Sequence, residues 1–164
     1  MKNVSRIVLA IIIVAAGVWL WRALFPSPEK IIASQFEKLA RATSIQPGQG
    51  YIPRMAGAER AGGFFATNVE LNIDFPGHKQ QTVVSRDDIV QAIMAAHLNG
   101  GLKVKFQDIA VNVSADQQTA QTEVTLEAKA TFEQDIIVQE MRFTLQKIDG
   151  KWFITKVQTI RTFS

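Results

Sequence analysis

Between Ala120 and Ala130 the chain alternates without a break: Ala120, Thr122, Val124, Leu126, Ala128 and Ala130 interleave with Gln121, Glu123, Thr125, Glu127 and Lys129. Successive side chains of a strand point to opposite faces, so this period of two predicts a strand with one buried face. Such a strand needs partner strands beside it and a layer over its apolar side, which rules out most other architectures for the segment. Ile137, Met141, Phe143 and Leu145 share one parity further on, with Glu140, Arg142 and Thr144 on the other; Gln139 is the one polar residue on the apolar face. Leu102, Val104 and Phe106 upstream and Trp152 to Ile160 downstream complete four consecutive strands. Asp149-Gly150, between Ile148 and Trp152, predicts a tight hairpin, because primed turns need positive φ. The last two strands are therefore expected to pair antiparallel.

The preceding segment reads as a helical layer. Ser27-Pro28-Glu29 is a helix start, with a capping serine, a proline tolerated in the first turn and an acid that complements the dipole. Ile32, Phe36, Leu39 and Ala40 then share one face. The run SIQPGQG, Ser44 to Gly50, breaks that helix. A second is expected from Pro53, with Met55, Ala58 and Phe65 as its buried stripe and Gly62 and Gly63 permitting close approach. Val69, Leu71, Ile73 and Phe75 alternate with polar residues, predicting a strand ended by Pro76-Gly77; Gln81 to Ser85 is a short second strand. Ser85-Arg86-Asp87-Asp88 forms a capping-box analogue with Asp in the usual Glu position, opening a helix that buries Ile89, Val90, Ile93 and Met94.

Residues 1–27 are a separate unit. Ile7 to Trp21 is an uncharged apolar run, extended by Ala23-Leu24-Phe25 if Arg22 snorkels, long enough for a membrane-spanning helix of about 17–20 residues. A cleaved signal peptide would need small residues after its apolar core. Ala15-Ala16-Gly17 is the only approximation, and cutting there would leave Val18 to Trp21 as an apolar terminus. The reading is thus a single-pass anchor at the inner membrane, and the basic flank of Lys2 and Arg6 places the C-terminal domain outside. The pI near 9.3 comes from Lys2, Arg6 and Arg22: of 18 basic residues 15 follow Pro26, where all 15 acidic residues also lie. A domain without net charge lacks the footprint of nucleic-acid binding. The absence of cysteine excludes disulfides, thiolate metal sites and a cysteine nucleophile.

Two helices, a strand pair, a third helix and four strands ending in an Asp149-Gly150-Lys151-Trp152 turn give an order of elements with a known likeness. On Val69 to Gly77 (VELNIDFPG), Ser85 to Met94 (SRDDIVQAIM) and Asp149 to Ile154 (DGKWFI) the chain resembles the nuclear transport factor 2-like superfamily, also called SnoaL-like or cystatin-like. The resemblance covers about residues 28 to 162. It implies an α+β cone over 28–164, with three helices on a strongly curved, mixed but mostly antiparallel sheet, behind one transmembrane helix. That superfamily spans dehydratases, isomerases, epoxide hydrolases, transport adaptors and membrane-anchored secretion components, so the likeness leaves function open.

Candidate chemistry is sparse. The resemblance makes Asp74 the first catalytic candidate, since Asp74-Phe75-Pro76-Gly77 is similar to the stretch where ketosteroid isomerase-like members carry a general base. Phe36 then stands where those enzymes have a tyrosine, and Met141 and Phe143 where an acid partner is needed. By parity Asp74 belongs with Glu70 and Asn72 on the polar side. His97, at helical spacing from Ile93 and Met94, is the second candidate, and reads better as a structural histidine near a helix end. His78 belongs to a turn, and the two histidines make no metal-binding spacing. Glu123 and Glu127 read as a solvated stripe. Phe36, Phe65, Phe106, Gln139, Met141 and Phe143 are the expected lining of a cone interior, with Phe64 and Thr122 beside them. Ile136 and Val138 interrupt the polar face of their strand and are expected at an interface. These features point to a non-enzymatic module, without cofactor or metal, that binds a protein partner or itself. The alternative is a binder of a small apolar ligand, or an isomerase- or dehydratase-type enzyme that uses the cone.

Overall fold

A computed structural model describes residues 12–17, 19–20, 26–45, 48–75, 78–98, 102–130 and 136–163, with backbone alone for 74–75, 78–81, 98, 130 and 161–163. Three helices, α1 (Pro28–Thr43), α2 (Tyr51–Gly62) and α3 (Arg86–Leu98), cover one mixed sheet. Its strands are β1 (Phe65–Phe75), β2 (His78–Ser85), β3 (Leu102–Val113), β4 (Thr119–Ala130), β5 (Ile136–Ile148) and β6 (Lys151–Phe163), in the order β2-β1-β6-β5-β4-β3. Among the described residues only the β1–β6 pair is parallel.

The alternation in β4 and β5 is the core's scaffold. Val124 lies opposite Met141, Thr122 opposite Phe143 and Ala120 opposite Leu145, and all six are buried. The expected hairpin forms at Asp149 (φ 50°) and Gly150 (φ 78°), two left-handed residues in succession that make a type I′ turn. In β3 the register shifts between Gln107 and Ala110, where Asp108 takes φ 51°. This bulge moves the inward parity from Leu102, Val104 and Phe106 to Ile109, Val111 and Val113, and bulges bend the strands that carry them. β3 would be a bare edge at its start, but the chain leaving α1 covers it. Ile45 N–H donates to the Leu102 carbonyl at 2.7 Å, and the Ser44 hydroxyl bonds both backbone groups of Val104.

Ile32, Phe36 and Leu39 of α1 are buried as their spacing predicts, although the N-cap Ser27 makes no side-chain cap bond. The stripe of α2 differs from expectation. Phe65 belongs to β1 and Met55 is exposed, whereas Gly57, Ala58, Ala61 and Gly62 form the buried face. Small residues let the helices meet at backbone distance: a Cβ on Gly62 would stand 2.4 Å from Val90 Cγ2. β1 and β2 are correspondingly longer than the sequence suggests. The capping box of α3 is present, with Asp88 Oδ2 accepting from Ser85 N–H and Oγ–H while Asp88 N–H donates to Ser85 Oγ.

Upstream, residues 12–17 and 19–20 are helical and exposed, so helix occurs in four places among the described residues rather than three. Among those residues no helix is long and apolar enough to cross a membrane. Most of the expected span over residues 7–25 lies outside the described residues.

Candidate ligand pocket

An almost wholly apolar space lies between α3 and the concave face of the sheet. It measures about 380 Å³ and is lined by sixteen residues, among them Ile89, Ala92, Ile93 and Ala96 of α3, Leu71 of β1, and Leu126 and Ala128 of β4. Four of the aromatic and sulfur side chains singled out from sequence, Phe65, Phe106, Met141 and Phe143, also line it. The space arises from a size mismatch. The face that α3 turns to the sheet carries alanine at 92 and 96, so even with Ile89 and Ile93 it does not reach β4 and β5. Only Thr43 among the sixteen has a polar side chain, and its hydroxyl donates to the Leu39 carbonyl of its own helix at 2.9 Å. Back-bonding of this kind satisfies the hydroxyl locally and leaves it poorly placed to direct a ligand.

Phe36 sits beneath this space rather than on its wall. Its ring meets Phe143 at 5.0 Å and Phe106 at 5.4 Å between centroids, and Phe106 meets Phe143 at 5.9 Å, all edge to face. These are favourable quadrupole geometries that fix the floor. Gln139 is buried on the concave face opposite Leu126 but is absent from the lining. Thr122 is fully buried, and among the described residues its Oγ1 has no hydrogen-bond partner.

His97 is fully buried and structural in its contacts. Its Nε2–H donates to the Thr43 carbonyl at 2.7 Å, satisfying one of the last carbonyls of α1, while Nδ1 is buried without a partner. It therefore latches α3 to the end of α1 beside the pocket. Asp74 pairs in backbone register with Lys79, and its side chain lies outside the described residues, as does that of His78. Among the described residues no three His, Cys, Asp or Glu side chains are grouped to hold a metal.

The convex face is polar and cross-paired. Arg142 binds Glu123 through two nitrogens at 2.9 and 2.6 Å, Lys105 and Gln107 approach Glu127 at 3.8 and 2.9 Å, and Lys156 meets Glu70 at 3.1 Å. Ile136 stands at its end, 48 % exposed, and Val138 is half-buried between Glu127 and Phe163 in register. From sequence, Ile89 and Ile93 were legible as a buried face. The roles of Leu71, Ala92, Ala96, Leu126 and Ala128 as walls of a gap were not, because small residues on a helix face signal close packing as readily as a void.

The sequence matches no family model and no curated protein. Solved structures are similar in fold. A nuclear transport factor 2-like protein of unknown function from Pseudomonas putida aligns over 83% of this chain and 87% of its own, at 9% identity and TM-score 0.60. A domain of unknown function with a cystatin-like fold from Nostoc punctiforme aligns over 85% and 80%, at 14% identity and TM-score 0.60. A candidate scytalone dehydratase from Novosphingobium aromaticivorans aligns over 92% and 89%, at 15% identity and TM-score 0.53. At such identities the likeness concerns architecture alone: an α+β cone with the cystatin-like, nuclear transport factor 2-like fold.

Proposed function

We propose that the domain holds a compact apolar molecule in the gap beneath α3, and that residues 1–27 tether it to the inner membrane with the domain outside. The observation that carries the ligand reading is the lining itself: fifteen of the sixteen residues are apolar, and the hydroxyl of the sixteenth is bonded to its own helix. A volume of about 380 Å³ falls within the range of small-molecule sites, roughly 300–1,000 Å³. General acid–base chemistry needs a titratable group within hydrogen-bond reach of the ligand, and the described lining supplies none. This favours binding over an isomerase or dehydratase reaction. An uncharged fluorophore such as N-phenyl-1-naphthylamine should bind the full chain with one equivalent and enhanced emission. Ala96→Trp, which fills the space, should weaken binding at least ten-fold while leaving the melting temperature within about 2 °C. Unchanged affinity in that variant would sink the pocket reading.

A second reading, self-association or capture of a protein partner through the convex face, is favoured by Ile136, a large aliphatic left in water beside a polar sheet surface. Tethering would raise the effective concentration of neighbouring copies. Replacing Ile136 and Val138 together by Glu should lower the sedimentation-derived mass or abolish crosslinking without unfolding the domain. A double variant that associates like its parent removes this reading.

A further inference from the structure

Away from the pocket, one cleft is walled by cations with no acid among its lining residues. Lys38 and Arg41 of α1 and Arg60 of α2 surround about 400 Å³ floored by Ala42 and Phe64. All three are exposed, and none makes an ion pair among the described residues, whereas Lys105, Arg142 and Lys156 on the sheet each have one. Glu37 of α1 lines a neighbouring groove along β3 that Arg41 also borders, and makes no ion pair with it among the described residues. The exposed side of α2 also carries large apolar residues, with the acid Glu59 among them. Ile52, Ala56 and Arg60 follow at i, i+4 and i+8, opposite the buried Gly57, Ala58 and Ala61, and Ile52 and Met55 are 79 % and 46 % exposed.

From this face we infer that α1 and α2 dock on an anionic phospholipid surface, with lipid phosphates in the Lys38–Arg41–Arg60 cleft and Ile52 and Met55 entering the interfacial zone. The inference rests on the proposal that the leader holds the domain at a bilayer. Large aliphatics beside unpaired cations are the composition of an element that lies in a membrane interface. Arginine's planar fork suits phosphate oxygens. α1 begins at Pro28, immediately after the apolar leader, so laid along the bilayer it keeps Lys38 and Arg41 at headgroup depth although they stand about 15–20 Å from its start. Each cation near an anionic leaflet multiplies partitioning about five-fold, so the three together shift the docked–undocked balance on the order of a hundred-fold.

The chain contains no cysteine, so Ile52→Cys provides a single site for an environment-sensitive label. The labelled full-length protein is reconstituted in vesicles of phosphatidylcholine alone or with about one-third phosphatidylglycerol, with spin-labelled lipid as quencher. Gln118→Cys, on the β3–β4 turn, is the control. The label at 52 should be quenched and blue-shifted in anionic vesicles only, and released again when Lys38, Arg41 and Arg60 are all changed to Gln; the label at 118 should respond to neither. Flotation with a label at 52 indifferent to lipid charge, or a response that survives the triple change, overturns the docking face and spares the tether. A chain that floats with neither vesicle overturns both. Shielding that grows with protein density in either lipid assigns the face to a second copy and overturns the lipid.

Discussion

The two ends of the cone are built on the same alternating strands and differ in what the helices press against them. At the closed end α1 delivers Ile32, Phe36 and Leu39 onto Leu145 and Ile154, and the small gap among Gln35, Phe36, Leu39, Phe64, Leu145 and Ile154 has no room for a water molecule. At the open end α3 delivers alanines, and about 380 Å³ stays empty. The difference lies in helix position as well as side-chain size. α3 is pinned at four points: Ser85 and Asp88 fix its start, Arg86 Nε–H donates to the Phe65 carbonyl of β1 at 3.0 Å, Val90 rests against Gly62 of α2, and His97 bonds the last turn of α1. None of these anchors is to β4 or β5, so among the described residues no such bond draws α3 down onto the strands that face it. The closed end serves stability, and the open end is free to serve binding.

The largest expected effect tests that division. Phe36→Ala removes a buried ring from a packed site that cannot collapse, and should cost about 3–5 kcal/mol in chemical or thermal unfolding. Phe106→Ala removes a half-exposed ring that already borders the gap, and should cost clearly less while enlarging the pocket. Equal costs at the two positions would show that the open end is as tightly packed as the closed one.

What sequence could reveal about this architecture follows the range of the physics involved. The β4 and β5 alternation, the Asp149-Gly150 turn and the Ser85–Asp88 capping box depend on residues within a few positions of one another, and each forms as its local chemistry dictates. The Asp108 bulge left a readable trace, a switch from even to odd apolar positions between Phe106 and Ile109, but reading it requires accepting a bulge over a strand end. On α2 the sequence marks Ala58 and the close approach at Gly62, but Met55 and Phe65 fall outside the buried face, and Gly57 and Ala61 go unmarked because glycine and alanine carry little hydrophobic signal. Whether the expected interior residues line a void or fill a core was beyond reach for a further reason. The same Phe65, Phe106, Met141 and Phe143 fill a core or line a void according to the distance between α3 and the sheet, and that distance is set by His97 meeting Thr43 and Val90 meeting Gly62. Both contacts join residues far apart in sequence.

The smallest effect should come from the start of α3, where a local bond holds the wall of the open end. The Ser85 hydroxyl, and next its backbone N–H, donate to Asp88 and hold that carboxyl below the usual carboxylate range. A depressed folded-state value means the contribution is complete above the unfolded-state value, here 3.8, and disappears as pH falls through the lower folded value. Protection of α3 amides should therefore be flat from neutral pH down to about pH 5 and weaken only in the acid range below that. Ser85→Ala should cost about 1 kcal/mol, as lost N-caps do, and should shrink this acid-range loss to the part carried by the remaining backbone N–H of residue 85. Because the cap touches α3 and not the Phe36 floor, hydrogen exchange should register the loss in α3 before the β4 and β5 amides. If Ser85→Ala instead lowers protection uniformly across the sheet, the open end is no independent unit, and the contrast between the two halves of the cone fails.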